Sequence, residues 1–128
     1  EVKTCKDIIS ARQHKKLIAV HPNHQVSEAV NLMKKYDIEN IPVMNENGQP
    51  IGSISEQGLF QKMFGDQDLR GANIEAVMEP AYPLVELNSP VEKLGKLITK
   101  ENGAVLVKDE QGDYHIVTKY DIIQSMAQ

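Results

Sequence analysis

An α+β fold built from two tandem copies of one βαββα unit follows from three observations. Short apolar runs alternate with segments whose apolar residues recur every three or four positions. The order strand–helix–strand–strand–helix occurs twice along the chain. In each copy the last strand runs into its helix through a hydroxyl residue: Ser55 in Ser55-Glu56-Gln57-Gly58, and Thr118 in Thr118-Lys119-Tyr120-Asp121. A hydroxyl at such a junction can cap the first free backbone N–H groups of the helix. Only the second copy keeps a carboxylate three residues later.

The elements follow in order. Lys3–Gln13 reads as a lead-in helix, so residues 1–13 form a lead-in and linker. The first copy spans 14–64 and opens with Leu17-Ile18-Ala19-Val20 as a short strand, ended by Pro22. Val26, Ala29, Val30 and Met33 then recur at helical spacing. Ile41-Pro42-Val43-Met44 is the next strand, Asn45-Glu46-Asn47-Gly48 a turn, and Pro50–Ile54 the strand after it. Ser55 starts a helix carrying Leu59, Phe60 and Met63. Residues 65–73, rich in Gly and Asp, read as a linker.

The second copy spans 74–128. A short helix at Ile74–Met78 precedes the strand Leu84-Val85. Ser89-Pro90-Val91-Glu92 reads as a capping box with proline at the first helical position. Val91, Leu94, Leu97 and Ile98 form the apolar stripe of that helix. Ala104–Val107 and Tyr114–Val117 are strands around the turn Asp109-Glu110-Gln111-Gly112. Thr118 opens the last helix, with Ile122, Ile123 and Met126 on one face. A three-stranded unit with helices on one side leaves its other face apolar. The copies are therefore expected to pack sheet against sheet with pseudo-two-fold symmetry, leaving a cleft between them.

The 128 residues suit one body, or two small units that need each other to bury a core. A net charge of −4 and a pI near 5.5 argue against nucleic-acid or anionic-membrane partners, which call for a basic patch. The lysines are scattered over helical segments. Cys5 is the single cysteine, so no intrachain disulfide can form, and a reducing cytoplasm is the expected compartment. The apolar runs fall far short of the ~20 residues that span a bilayer. A start at Glu1 fits a piece of a longer protein.

Ile41-Pro42-Val43, Gly52-Ser53-Ile54-Ser55 and Ile116-Val117-Thr118-Lys119-Tyr120-Asp121-Ile122 carry a resemblance to a tandem pair of CBS domains, the Bateman module, over about residues 14–127. With Gly52–Phe60, Val77-Met78-Glu79-Pro80 and Thr118–Gln128, the pattern looks like the C-terminal regulatory region of bacterial cystathionine beta-synthases. There a pyridoxal-phosphate catalytic domain precedes the module. The resemblance implies no cofactor or catalysis in this chain itself, with pyridoxal phosphate only in a parent catalytic domain. It implies an adenosyl effector (S-adenosylmethionine, AMP, ADP or ATP) bound between the copies, and a homodimer.

By the same resemblance Asp121 would accept hydrogen bonds from both ribose hydroxyls, a charge-assisted bidentate grip. Thr118 would sit beside the ribose or phosphate and Ile116 would border the ligand, while Tyr120 would border the base or pack on a neighbouring helix. The adenine would lie against Leu17, Ile18, Ile38, Asn40, Ile41 and Pro42 of the first copy. Gly58 replaces the aspartate there, so the mirror site is expected to lack a ribose anchor. Capping stays open as the bland alternative, since Thr118-x-x-Asp121 stabilises a helix start by about 1 kcal/mol without any ligand. A ligand-free oligomerisation or autoinhibitory module, or the sensor of a transporter or standalone protein, also stays open. His115 stands where the family usually has glycine; it could fill space near the cleft, touch a phosphate or project outward from the strand. Lys119 could approach a phosphate or be merely solvated. The His21-Pro22-Asn23-His24 loop has no Cys or carboxylate partner at metal-ligand spacing. Met33, Met44, Met63, Met78 and Met126 read as core filler.

Overall fold

The computed structural model describes residues 3–12, 16–65 and 68–127. In chain order the elements are α1 (Cys5–Ala11), α2 (Val26–Tyr36), β1 (Asn40–Met44), β2 (Pro50–Ser55), α3 (Glu56–Lys62) and α4 (Ile74–Val77), followed by β3 (Leu84–Val85), α5 (Val91–Leu97), β4 (Ala104–Lys108), β5 (Tyr114–Thr118) and α6 (Lys119–Met126). Helices and strands are mixed throughout and the strands form two sheets, an α+β arrangement. The chain divides into two compact units. One holds Ile18–Ala81; the other joins the residues up to Leu17 with those from Tyr82 onward. Among the described residues no helix is long and apolar enough to cross a membrane.

In the Ile18–Ala81 unit, β1 and β2 pair antiparallel with a bulge between Val43 and Met44. The hairpin turns on Asn45, whose Oδ1 accepts from the N–H groups of Asn47 and Gln49, while Gly48 takes φ 75°. An Asx turn needs that acceptor, and the positive φ favours glycine. Helix α2 puts Val26, Ala29 and Met33 into a core with Val20, Ile41, Val43, Ile54 and Leu59. It stops at Asp37, which adopts a left-handed conformation (φ 52°) that aspartate tolerates. Ile74 and Val77 of α4, grouped by sequence with the second copy, are buried in this same core.

The strand expected at Leu17–Val20 shrinks to a single residue. Val20 bridges Val43 in parallel, donating to Pro42 O (3.1 Å) and accepting from Met44 N (2.9 Å). Two residues back, the ladder would need an N–H at position 42 to reach the Ile18 carbonyl. Proline has none, so the pairing ends. On the other edge of the hairpin Ser53 and Glu79 exchange two backbone hydrogen bonds of 2.9 Å each.

In the second unit the sheet order is β3-β4-β5, with β3 parallel and β5 antiparallel to β4. β4 is buried on both faces, as a central strand covered on two sides should be. Val105 and Val107 face a core with Cys5, Ile8, Val85, Val91, Leu94 and Val117, while Ala104 and Leu106 pack with Tyr82. The lead-in helix is therefore part of this core. Its N-terminal segment is bonded to the turn before α5: Cys5 N donates to Ser89 O (3.0 Å) and Val91 N to Lys3 O (2.9 Å). The pairing also corrects the expected capping box. Pro90, in extended conformation, is the N-cap residue and among the described residues no side chain caps α5; Thr4 bridges Pro90, and Ser89 is buried.

Two methionines correct the core-filler reading. Met63 and Met126 are 64% and 74% exposed, as are most of Phe60 and Ile123 on the same helices.

Candidate functional site

The β5–α6 junction gathers the chemistry. Val117 anchors β5 in the core, which fixes where Thr118 leaves the sheet. Thr118, in extended conformation, is the N-cap of α6, and Asp121 at the third helical position reaches back to it as a capping box. Asp121 Oδ2 accepts from Thr118 N (2.9 Å) and Thr118 Oγ1 (3.1 Å). It also accepts from Arg12 Nη1 at 3.2 Å, and the two charged side chains are only 17% and 13% exposed. Among the described residues every polar contact to this carboxylate falls on Oδ2.

Ile116 lies half-buried on the same strand, two residues ahead of Thr118, whereas Tyr120 and Lys119 are exposed on the first turn of α6. His115 is tied to the β4–β5 turn: its Nε2 lies 2.7 Å from Asp109 Oδ2, and both side chains are 18% exposed. That hydrogen bond holds the Asp109 carboxyl below the ordinary carboxylate range, helped by the N–H of Asp113.

The first-copy candidates lie in the other unit or at its boundary. Ile41 is fully buried in that unit's core and Pro42 is equally inaccessible, while Ile38 packs against the same core half-exposed. Asn40 is half-buried at the start of β1, and Leu17 and Ile18 are half-buried ahead of the Val20 bridge. At α3 the Ser55 Oγ accepts from Gly58 N (2.9 Å), as expected of a cap. Its hydroxyl also donates to Glu79 Oε1 at 3.3 Å. A carboxylate thus stands beside Gly58 after all, supplied from the far end of the unit. Sequence reading missed Glu79 and Arg12 alike, because both reach their partners through tertiary packing and neither sits at a motif spacing. Among the described residues no group of three His, Cys, Asp or Glu could hold a metal ion.

Residues 5–65 match the CBS domain family model. An L-aspartate semialdehyde sulfurtransferase of Methanocaldococcus jannaschii is 27% identical over 119 residues, covering 91% of this chain and 22% of that protein. The CBS domain pair of protein MJ0100, solved in complex with 5′-methylthioadenosine and S-adenosyl-L-methionine, superposes with a TM-score of 0.80 at 23% identity, covering 99% of this chain and 98% of that one. CBSX2 in complex with AMP superposes with a TM-score of 0.75 at 21% identity, covering 98% and 96%. The chain has the fold of a CBS domain pair and carries the family's sequence signature over residues 5–65. It spans 22% and 49% of the lengths of curated relatives that it matches.

Proposed function

We propose that this chain is a sensor module that binds an adenosine-containing effector, with Asp121 gripping the ribose and Thr118 beside it. The observation that carries the reading is the Asp121 carboxylate, held in place by Thr118, with its polar contacts among the described residues all on Oδ2. A vicinal diol matches a carboxylate through two short charge-assisted hydrogen bonds. Neighbours of the same fold that hold S-adenosyl-L-methionine, 5′-methylthioadenosine or AMP support the ligand class. Effector occupancy then regulates an attached enzyme, to the extent that the effector binds the module's conformations unequally. A relative in which the matching region makes up 22% of an enzyme supports such an attachment. A pyridoxal-phosphate cystathionine beta-synthase in the cytoplasm is the parent that the resemblance favours. A homodimer through helical faces is part of the proposal, supported by exposed Phe60 on α3 and exposed Ile123 and Met126 on α6.

Calorimetric titration with S-adenosylmethionine, AMP and ATP, on wild type and Asp121→Asn, tests it. Saturable binding lost in the variant is the expected outcome. Asp121 is also engaged by Arg12 and by its own cap, which favours a second reading as a ligand-free interaction module. Under that reading wild type is silent to all three ligands, and Asp121→Asn changes only stability, by at least about 1 kcal/mol, since the cap weakens and the covered Arg12 guanidinium loses its counter-charge.

A further inference from the structure

The lead-in helix ends against the proposed ribose anchor. Arg12, the C-cap residue of α1, is extended and lays its guanidinium on Asp121 Oδ2, 109 residues away in sequence. Both side chains are largely covered, so the pair is poorly screened by solvent. Lys3, on the other side of α1, donates from Nζ to the Ser125 carbonyl of α6. The two helices are thus tied at both ends of α1.

We propose that Arg12 is a built-in competitor for the effector, and that ligand binding releases the end of α1. The inference rests on the ribose reading of Asp121 given above. Oδ2 already receives two contacts from Thr118, and Arg12 brings a third. A carboxylate oxygen offers about two lone-pair directions. A diol that engages both oxygens of Asp121 must therefore replace a donor on Oδ2. The Thr118 contacts are built into the cap of α6, whereas Arg12 sits on a long side chain at a helix end. Arg12 is the contact that yields. Occupancy of the site is then converted into the state of the N-terminal helix, with no second ligand required.

The chain carries its own reporter. Cys5 is fully buried in α1, and burial pushes its thiol above the ordinary value, so its labelling reads the opening of that helix. The experiment compares wild type, Arg12→Gln and Arg12→Lys, using 5′-methylthioadenosine and AMP as probes. Arg12→Gln should bind 5′-methylthioadenosine at least about fivefold more tightly. Its Cys5 should label several-fold faster without ligand and show no further rise with it. Wild-type Cys5 should label faster at saturating ligand, and Arg12→Lys should restore wild-type behaviour. Binding by Arg12→Gln where wild type is silent supports the proposal equally. Measurable wild-type binding that Arg12→Gln leaves unchanged or weakens overturns it, a weakening marking Arg12 as a ligand contact. Ligand binding that leaves wild-type Cys5 labelling unchanged overturns it as well. Silence of all three folded proteins toward both probes overturns the ribose reading and this inference with it.

Discussion

At position 58 a Cβ would collide with Glu79 Oε1 and stand 2.9 Å from Ser55 Oγ. Glycine there costs the helix about 1 kcal/mol relative to alanine. The space it leaves is filled by the Glu79 carboxylate, which accepts from Ser55. Gly58→Ala should regain helix propensity while displacing Glu79 and breaking a hydrogen bond worth about 1 kcal/mol. The two effects oppose each other in the wild-type background. With Glu79→Ala the second effect is absent, so a urea double-mutant cycle should show a coupling of about 1 kcal/mol between the positions. Additivity within about 0.3 kcal/mol would show that Glu79 and position 58 do not compete. At this scale Thr118-x-x-Asp121 was legible, because a cap and its carboxylate are local in sequence. Arg12 and Glu79 were not, because a charge that arrives from another element leaves no trace in spacing.

The two hairpins show how much of an element a sequence can specify. Asn45-x-x-Gly48 and Asp109-x-x-Gly112 both read as turns in the sequence, and both close the same way. A side-chain Oδ1 accepts from the N–H groups two and four residues on, and the glycine takes a positive φ. Asp109 differs from Asn45 in its charge and in its bond to His115. Because its folded pKa is depressed, the unfolded chain binds more protons near pH 4. Its contribution to stability is therefore present above the ordinary carboxylate pKa and is lost as pH falls through the lower folded value. Wild type should lose stability between about pH 5 and pH 3 more steeply than His115→Gln, which lacks the largest cause of the shift. Urea midpoints across that range would measure it, and parallel curves would deny the hydrogen bond this role. Elements that failed to follow their sequence signals failed for backbone reasons. Pro42 withholds the N–H that a strand at Leu17–Val20 requires, and the Thr4–Pro90 bridge claims the turn where Ser89 was expected to cap α5.

For the whole molecule, the division into units turns on a segment that sequence reads as a mere approach to the first copy. Helix α1 has no partner signal of its own, yet Cys5 and Ile8 are buried with Leu94, Val105, Val107 and Val117 in the unit formed by the second half of the chain. The apolar spacing of Cys5, Ile8 and Ile9 announces a helix with a buried side but not the core that receives it. That membership gives the proposed release of Arg12 its mechanical meaning, since a helix merely leading in would have no packing to lose. Ile8 is 4% exposed, so Ile8→Ala should leave a cavity and cost about 2–4 kcal/mol. A residue on a solvated linker would cost within about 0.5 kcal/mol. The location of the loss separates the two cases further. Amide protection should fall in β4 and β5, which share the Ile8 core, and hold in β1 and β2, whose core contains no residue of α1. Uniform loss of protection in both sheets would mean that the two units unfold as one. Unchanged protection everywhere would remove α1 from the core, and with it the route by which an occupied Asp121 could be felt at the start of the chain.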